Sequence, residues 1–502
     1  MSRERVIPWP RFGQSLQCAD APAQQLVQNY GAALVLCVAA LTVFRLVAVT
    51  FSNMELFFDE AQYWFWSREL AFGYYSKPPL IAWIIRGATE ICGQSEACIR
   101  APSALIHGAT AILVYAIACR LYDARIGFWS GLTYATLPGV SLSSSLISTD
   151  VPLLFFVALA LYSLIRMRET GSWLWAAVLG AAIGFGLLSK YAMSYFLLCL
   201  ALYAVWAREG RALLKDAKLY AAIAIGAALI APNILWNAQN GFATFSHTAN
   251  NARWSGTLLH PDKALEFLGS QLGVFGPILF VAFVAICVNW LRDRPRRGSA
   301  AAERLLLAFS APILILMTLQ AFLSRAFANW AAFAYIAATV LVTVVLLREG
   351  RIRVFRASLL LHCAVAVLIA VGGVLAGRID LPGGVDPYSR VLGWKALADI
   401  AGRKSKDGGF KAIATDRRAL AAELFYYLRD ANIPVVAIRD GPPDDHFELT
   451  RPLTDDTPRP ILLVSFKSDG PSGSRALGAE TIAAGPTKSR QVFFHAIENA
   501  AP

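Results

Sequence analysis

Two adjacent carboxylates, Asp59 and Glu60, stand near the start of the aromatic-rich stretch Phe57-Phe58-Asp59-Glu60-Ala61-Gln62-Tyr63-Trp64-Phe65-Trp66-Ser67. Carboxylates at a membrane surface are able to take a proton from a hydroxyl, bind an acceptor or hold a divalent cation. The same residues also fit helix punctuation, with Asp59 as N-cap and Gln62 three residues later as in a capping box. Lys77 follows in Tyr74-Tyr75-Ser76-Lys77-Pro78-Pro79-Leu80. The two prolines fix the backbone and end any helix, so they hold the ammonium in place. A held ammonium suits a lipid phosphate. The alternative is snorkelling, with the stem on apolar surface and the head among lipid headgroups. Asp150, in Ser148-Thr149-Asp150-Val151-Pro152, is an ionisable group beside a bilayer-length apolar run, which makes it a functional candidate. It also fits a cap with Pro152 in the first helical turn. Lys190, His247, Asn251, Arg253, Arg325 and Asn329 fall in further turns. Each alone is an ordinary loop residue. On the topology below, they share one side of a membrane with the acids.

The elements that position these residues are apolar. Of 502 residues, 56% are hydrophobic and 16% charged, against about 25% charged in soluble domains. That excludes a disordered chain, a collagen-like fibre and a secreted disulfide scaffold. Bilayer-length apolar runs lie near 31–51, 103–121, 127–146, 151–166, 173–189, 191–207, 219–236, 267–291, 305–323, 331–347 and 358–377. They predict a polytopic α-helical membrane protein with about eleven transmembrane helices. Twenty Lys and Arg fall in one set of tails and loops, whereas the opposite short loops hold only Lys190, Arg253, Lys263 and Arg325. The positive-inside rule then puts the N-terminus in the cytoplasm and the C-terminus outside. The expected parts are a cytoplasmic tail (1–30), a transmembrane catalytic domain (31–377) with an external loop (52–102), and an external α/β domain (378–502). Phe410–Ala414, Ile433–Ile438, Ile461–Phe466 and Val492–Ala496 read as its strands, and Asp416–Arg429 as a helix capped by Asp416. The aromatic stretch 57–67 suits a helix lying in the membrane interface. The polar start of the chain does not resemble a cleaved signal peptide.

The net charge of +12 reflects the basic loops, which carry no aromatic stacking platform, so nucleic acid is not an expected partner. No CxxC or Cys/His cluster suggests zinc. The topology puts only Cys92 and Cys98 of the eight cysteines outside, and thiols in an oxidising compartment tend to pair. A disulfide is expected between them.

The Asp-Glu pair, the Lys-Pro-Pro stretch and the Thr149-Asp150-x-Pro152 helix start together resemble the C-type glycosyltransferases. The chain is most similar to bacterial relatives of protein O-mannosyltransferases and of the lipid A aminoarabinose transferase, across about 31–345. The resemblance implies transfer of a sugar from a polyprenyl-phosphate carrier, with inversion, to a lipid or glycan acceptor outside the cytoplasmic membrane. By position it makes Asp59 the expected base, Glu60 the second acid of the pair, Lys77 the donor-phosphate ligand and Asp150 a further acid. It offers no firm match for Lys190, His247, Arg253 and Arg325, whose expected role is substrate contact. The aminoarabinose transferase pattern has Glu before Lys-Pro-Pro, where this chain has Ser76. That change weakens both a metal and an aminoarabinose donor. It suits an anionic sugar such as the galacturonic acid of the related lipopolysaccharide transferases. A protein O-mannosyltransferase and, from another class, a secondary transporter are the alternatives.

Overall fold

The computed structural model describes residues 21–252, 259–292, 300–380 and 385–498. The chain divides into two compact units, one of residues 1–46, 103–242 and 248–369, the other of 47–102, 243–247 and 370–502.

The first unit is helical. Across the described residues, Asn29–Thr50, Glu96–Leu121, Asp150–Thr170, Ala217–Gln239, Ala301–Leu323 and Ile352–Val374 are long and apolar enough to cross a bilayer. Trp173–Ser189, Tyr191–Trp206 and Ala334–Arg348 are apolar but shorter. The run at 267–291 is not one straight span. Pro261–Val274 and Pro277–Arg292 meet at 119°, because Gly276 adopts φ 88 and Pro277 cannot extend the preceding helix. The run at 127–146 likewise breaks at Leu137, between Ala124–Thr136 and Pro138–Ser143. Six spans, or seven with the bent pair taken as one, therefore meet the length and composition of a crossing.

Helices Trp173–Ser189 and Ala217–Gln239 approach closely through two glycines four residues apart. A methyl on Gly180 would lie 2.6 Å from the Ala222 carbonyl oxygen, and one on Gly184 would lie 2.6 Å from Leu229 Cβ. Small residues at this spacing let helix backbones come together where lipid supplies no hydrophobic drive. The same unit buries Arg45 inside an apolar run. Its Nη2 donates to the Ala135 carbonyl at 2.5 Å and to Ser141 Oγ at 3.3 Å. Nearby in sequence to those acceptors, Tyr134 and Ser143 hydroxyls lie 3.0 Å from the two ring nitrogens of buried His107.

The second unit holds a five-stranded mixed sheet: β1 (Ala412–Thr415), β2 (Val435–Ala437), β3 (Ile461–Ser465), β4 (Arg475–Ala483) and β5 (Ser489–Ile497), in the order β2-β1-β3-β5-β4. β1 pairs in parallel with β2 and β3, while β5 runs antiparallel to β3 and β4. β1 and β3 are buried along their whole length, as expected for central strands covered on both faces. The helices Trp394–Asp407 and Arg418–Tyr427 contribute Leu397, Ala401, Leu420 and Leu424 to the core over β1, β3 and β5. The second of these starts at Arg418, two residues later than the sequence suggests. Asp416 does not cap it but pairs with Lys467 at 3.5 Å.

The segment 52–102 belongs to this same unit. Its helix Phe58–Arg68 is buried from Glu60 to Ser67. Trp64 meets Tyr426 edge-on at 5.0 Å between ring centroids, and Phe65 meets Phe425 at 4.4 Å and Phe447 at 4.9 Å. The aromatic density expected to lie in a membrane interface is thus spent on packing against the C-terminal helices. Glu60 caps the helix start by accepting from Phe57 N–H at 2.9 Å, so the cap falls to Glu60 and not to Asp59 with Gln62. Glu60 also pairs with Arg100 through Nε at 3.0 Å and Nη2 at 2.7 Å. Arg100 then donates to the carbonyls of Met54 and Glu55 at 2.9 and 2.8 Å. Both partners of this ion pair are almost wholly buried, at 1% and 2% exposure. Cys92 and Cys98 are joined, with Cα atoms 5.8 Å apart.

Removing one partner of a buried pair strands a charge, at a cost of about 3–5 kcal/mol. Arg100→Met should therefore sharply lower the thermal unfolding midpoint of the detergent-purified protein; an unchanged midpoint would mean that the pair does not hold the segment. Thiol alkylation of the intact protein should leave Cys92 and Cys98 unlabelled until a reductant is added, and labelling before reduction would exclude the bridge in the cell.

Candidate active site

In the second unit the helix Phe58–Arg68 presents Asp59 in its first turn, and the C-terminal helix Arg418–Tyr427 presents Arg418 at its start. Arg418 Nη1 donates to Asp59 Oδ1 at 2.9 Å and to Gln62 Oε1 at 3.0 Å. Gln62 Nε2 in turn donates to Ser76 Oγ at 3.4 Å. The guanidinium lies over the Phe58 ring, 4.8 Å from its centroid. Asp59 and Arg418 are both about one-third exposed, so their pair is open to solvent, unlike the one beneath it. Among the described residues, no bond reaches Asp59 Oδ2.

Lys77 sits in a turn closed by the Tyr74 N–H donating to the Lys77 carbonyl at 3.2 Å, and Pro79 precedes the helix Leu80–Cys92. The Tyr74 ring stacks on Trp66 at 4.6 Å and its hydroxyl donates to the Trp66 carbonyl at 2.9 Å, which anchors the turn. Tyr75 donates to the Pro443 carbonyl at 2.9 Å and meets His247 edge-on at 5.8 Å. His247 is carried by Ala243–Ala252, whose Thr244 hydroxyl donates to the Tyr74 carbonyl at 2.7 Å. Burial first, then the charges of Lys77 and Arg418, push His247 down to about 4 against the pull of Asp59. It is therefore neutral at ordinary pH. A His, two cations and a carboxylate thus gather around one turn of this unit.

The first unit builds a separate polar group. Asp150 opens the helix Asp150–Thr170, yet its carboxylate caps nothing. Lys190 Nζ donates to Oδ1 and Asn329 Nδ2 to Oδ2, each at 2.7 Å. Both oxygens of Asp150 are therefore engaged, and Lys190 is held by it. Next to Lys190, the Tyr191 hydroxyl donates to Asn233 Oδ1 at 2.8 Å and accepts from Asn237 at 3.2 Å. The Arg325 guanidinium lies 5.2 Å from the Phe327 ring centroid. Arg253 lies outside the described residues. Among these residues no group of three or more His, Cys, Asp or Glu is placed to hold a metal ion. Glu60 and Asp59 are each paired with a guanidinium group, of Arg100 and Arg418.

Sequence reasoning missed Arg418 and Arg100. Arg418 lies 359 residues from Asp59 in a stretch with several arginines, so nothing local marked it. Arg100 is one basic residue at the start of an apolar run, and its only signal was that so apolar a neighbourhood would need a buried partner for it.

Residues 76–236 match the family described as dolichyl-phosphate-mannose-protein mannosyltransferase. The chain is 36% identical over 437 residues to the lipid A galacturonosyltransferase RgtD of Rhizobium johnstonii, covering 87% of this chain and 90% of that protein. It is 28% identical over 297 residues to the lipopolysaccharide core galacturonosyltransferase RgtA of the same organism, covering 56% and 58%. The crystal structure of ArnT from Cupriavidus metallidurans bound to undecaprenyl phosphate superposes with a TM-score of 0.64 at 17% identity, covering 92% of this chain and 98% of that one. The fold is that of the C-type glycosyltransferases, and by the extent of its likeness to RgtD the chain belongs to the galacturonosyltransferase family within them.

Proposed function

We propose that this chain is a multi-pass enzyme of the bacterial inner membrane that moves galacturonic acid from a polyprenyl-phosphate carrier to lipid A or the lipopolysaccharide core. The observation that carries this reading is the 36% identity to a lipid A galacturonosyltransferase over 90% of its length. ArnT, with the same fold, has been crystallised with undecaprenyl phosphate, which supports a lipid-phosphate carrier here.

In this reading Asp59 is the base. Arg418 fixes the carboxylate through Oδ1 and leaves Oδ2 for the acceptor hydroxyl. As that proton moves to Oδ2, the acceptor oxygen bonds to the anomeric carbon. The bond from that carbon to the phosphate oxygen breaks, and the carrier phosphate departs with the electron pair. Lys77 answers the growing charge on the phosphate. Neutral His247 offers a hydrogen bond and no competing charge. Glu60, closed off by Arg100 and Phe57, is a positioning residue. Asp150 likewise acts by holding Lys190, which remains a candidate substrate contact together with Arg325 and Arg253. The reaction faces the periplasm, with the N-terminus cytoplasmic and the C-terminus periplasmic. The basic loops support this orientation, as does the disulfide in the external segment. A protein O-mannosyltransferase is the second reading, favoured by the family match over residues 76–236.

Mass spectrometry of lipid A and core from a deletion strain tests the function. Loss of a uronic acid from either is expected, and loss of hexose from envelope proteins instead would favour the second reading. Asp59→Asn should reduce transfer by about a hundredfold or more, since general base catalysis contributes about 10²–10⁴-fold, with folding retained. Full activity would remove Asp59 as base. Reporter fusions after Lys263 and after Asp386 should both report the periplasm, and a cytoplasmic signal at either would invert the topology.

A further inference from the structure

The guanidinium of Arg418 is only partly used. One face rests on Phe58, and Nη1 serves both Asp59 and Gln62. Among the described residues, nothing bonds to Nε or Nη2. These two nitrogens form the side-on fork of an arginine, whose parallel N–H groups match the two oxygens of a carboxylate. The Arg418 side chain is about one-third exposed, and its bond to Asp59 does not use these two nitrogens.

Shape, and not net charge, divides the two cations beside the turn, since Asp59 offsets one of them. A donor carrying a phosphate and a uronic acid presents one tetrahedral and one planar anionic group. Lys77, a compact point charge, suits the phosphate. The planar fork of Arg418 suits the second group.

We propose that Arg418 is a specificity-determining residue that reads the carboxylate of a uronic acid on the donor, through Nε and Nη2, while Nη1 keeps Asp59 in place. This rests on the polyprenyl-phosphate-uronate reading above and adds the residue that enforces it. One guanidinium then ties the sugar to the base: the group that recognises the substrate also orients the carboxylate that activates its acceptor. A donor lacking the carboxylate would leave the fork without its partner, and sites built for a polar group discriminate strongly against analogues that lack it.

The test compares binding of short-chain polyprenyl phosphate, its galacturonyl derivative and its galactosyl derivative to the purified full-length protein. The last two differ only in carboxylate against hydroxymethyl. The wild type should bind the galacturonyl form about 10- to 100-fold more tightly than the galactosyl form. Arg418→Gln should bring the two to near parity while still binding the bare polyprenyl phosphate, which also shows that the variant is folded. Arg418→Lys, with charge but no fork, should fall between. A preference that survives in Arg418→Gln, with turnover of both donors reduced equally, would make Arg418 a positioning residue for Asp59 alone and overturn the assignment. A wild type that favours the galactosyl donor overturns the assignment but leaves the glycosyltransferase reading standing. A wild type that binds no polyprenyl-phosphate sugar overturns both.

Discussion

A carboxylate and a guanidinium buried together, Glu60 and Arg100, set the terms for the second unit. Removing two charges from water is costly, and the cost is met only if every remaining donor and acceptor finds a partner. Here Glu60 also accepts from the Phe57 N–H, and Arg100 also donates to the carbonyls of Met54 and Glu55. The pair therefore fixes three things together: the start of the helix Phe58–Arg68, the loop before it and the beginning of the helix Glu96–Leu121. Asp59 inherits that rigidity. It is one residue from Glu60, on a helix turn that cannot rotate without unpairing a buried charge, and so it points consistently toward Arg418.

Adjacent carboxylates thus have opposite fates, decided by burial. Glu60 faces inward, where a full set of bonds is compulsory. Asp59 faces outward and pairs with a single, partly exposed arginine, leaving one oxygen open among the described residues. The same division appears around Asp150, where Lys190 and Asn329 occupy both oxygens, a pattern suited to holding a lysine rather than to moving a proton.

The helical membrane class and the small α/β part were legible in the sequence because they leave local marks such as long apolar runs, and a candidate such as Lys77 stood out by its place next to two prolines. What was not legible was long-range pairing. The aromatic run 57–67 suggested an interfacial helix, since sequence cannot tell a lipid from a Phe425 or a Tyr426 as the apolar neighbour. β4 (Arg475–Ala483) went unread because it is an edge strand with most side chains exposed and Gly478 inside it, so the alternation that marks a half-buried strand is absent. The run at 267–291 looked continuous because hydropathy does not register the bend that Gly276 and Pro277 impose. Arg418 carried no motif, and its importance exists only once the chain has folded back on Asp59.

That long return has a consequence for how the protein is made. Asp59 leaves the ribosome 359 residues before Arg418. At about 5–20 residues per second the wait is about 20–70 s. Throughout it, Trp64 and Phe65 lack Tyr426, Phe425 and Phe447 as cover, and the carboxylate has no counter-cation from the tail. A nascent chain of this protein therefore lacks that ion pair until its final quarter is translated, and the segment 57–67 spends that interval as an aromatic surface without its partners.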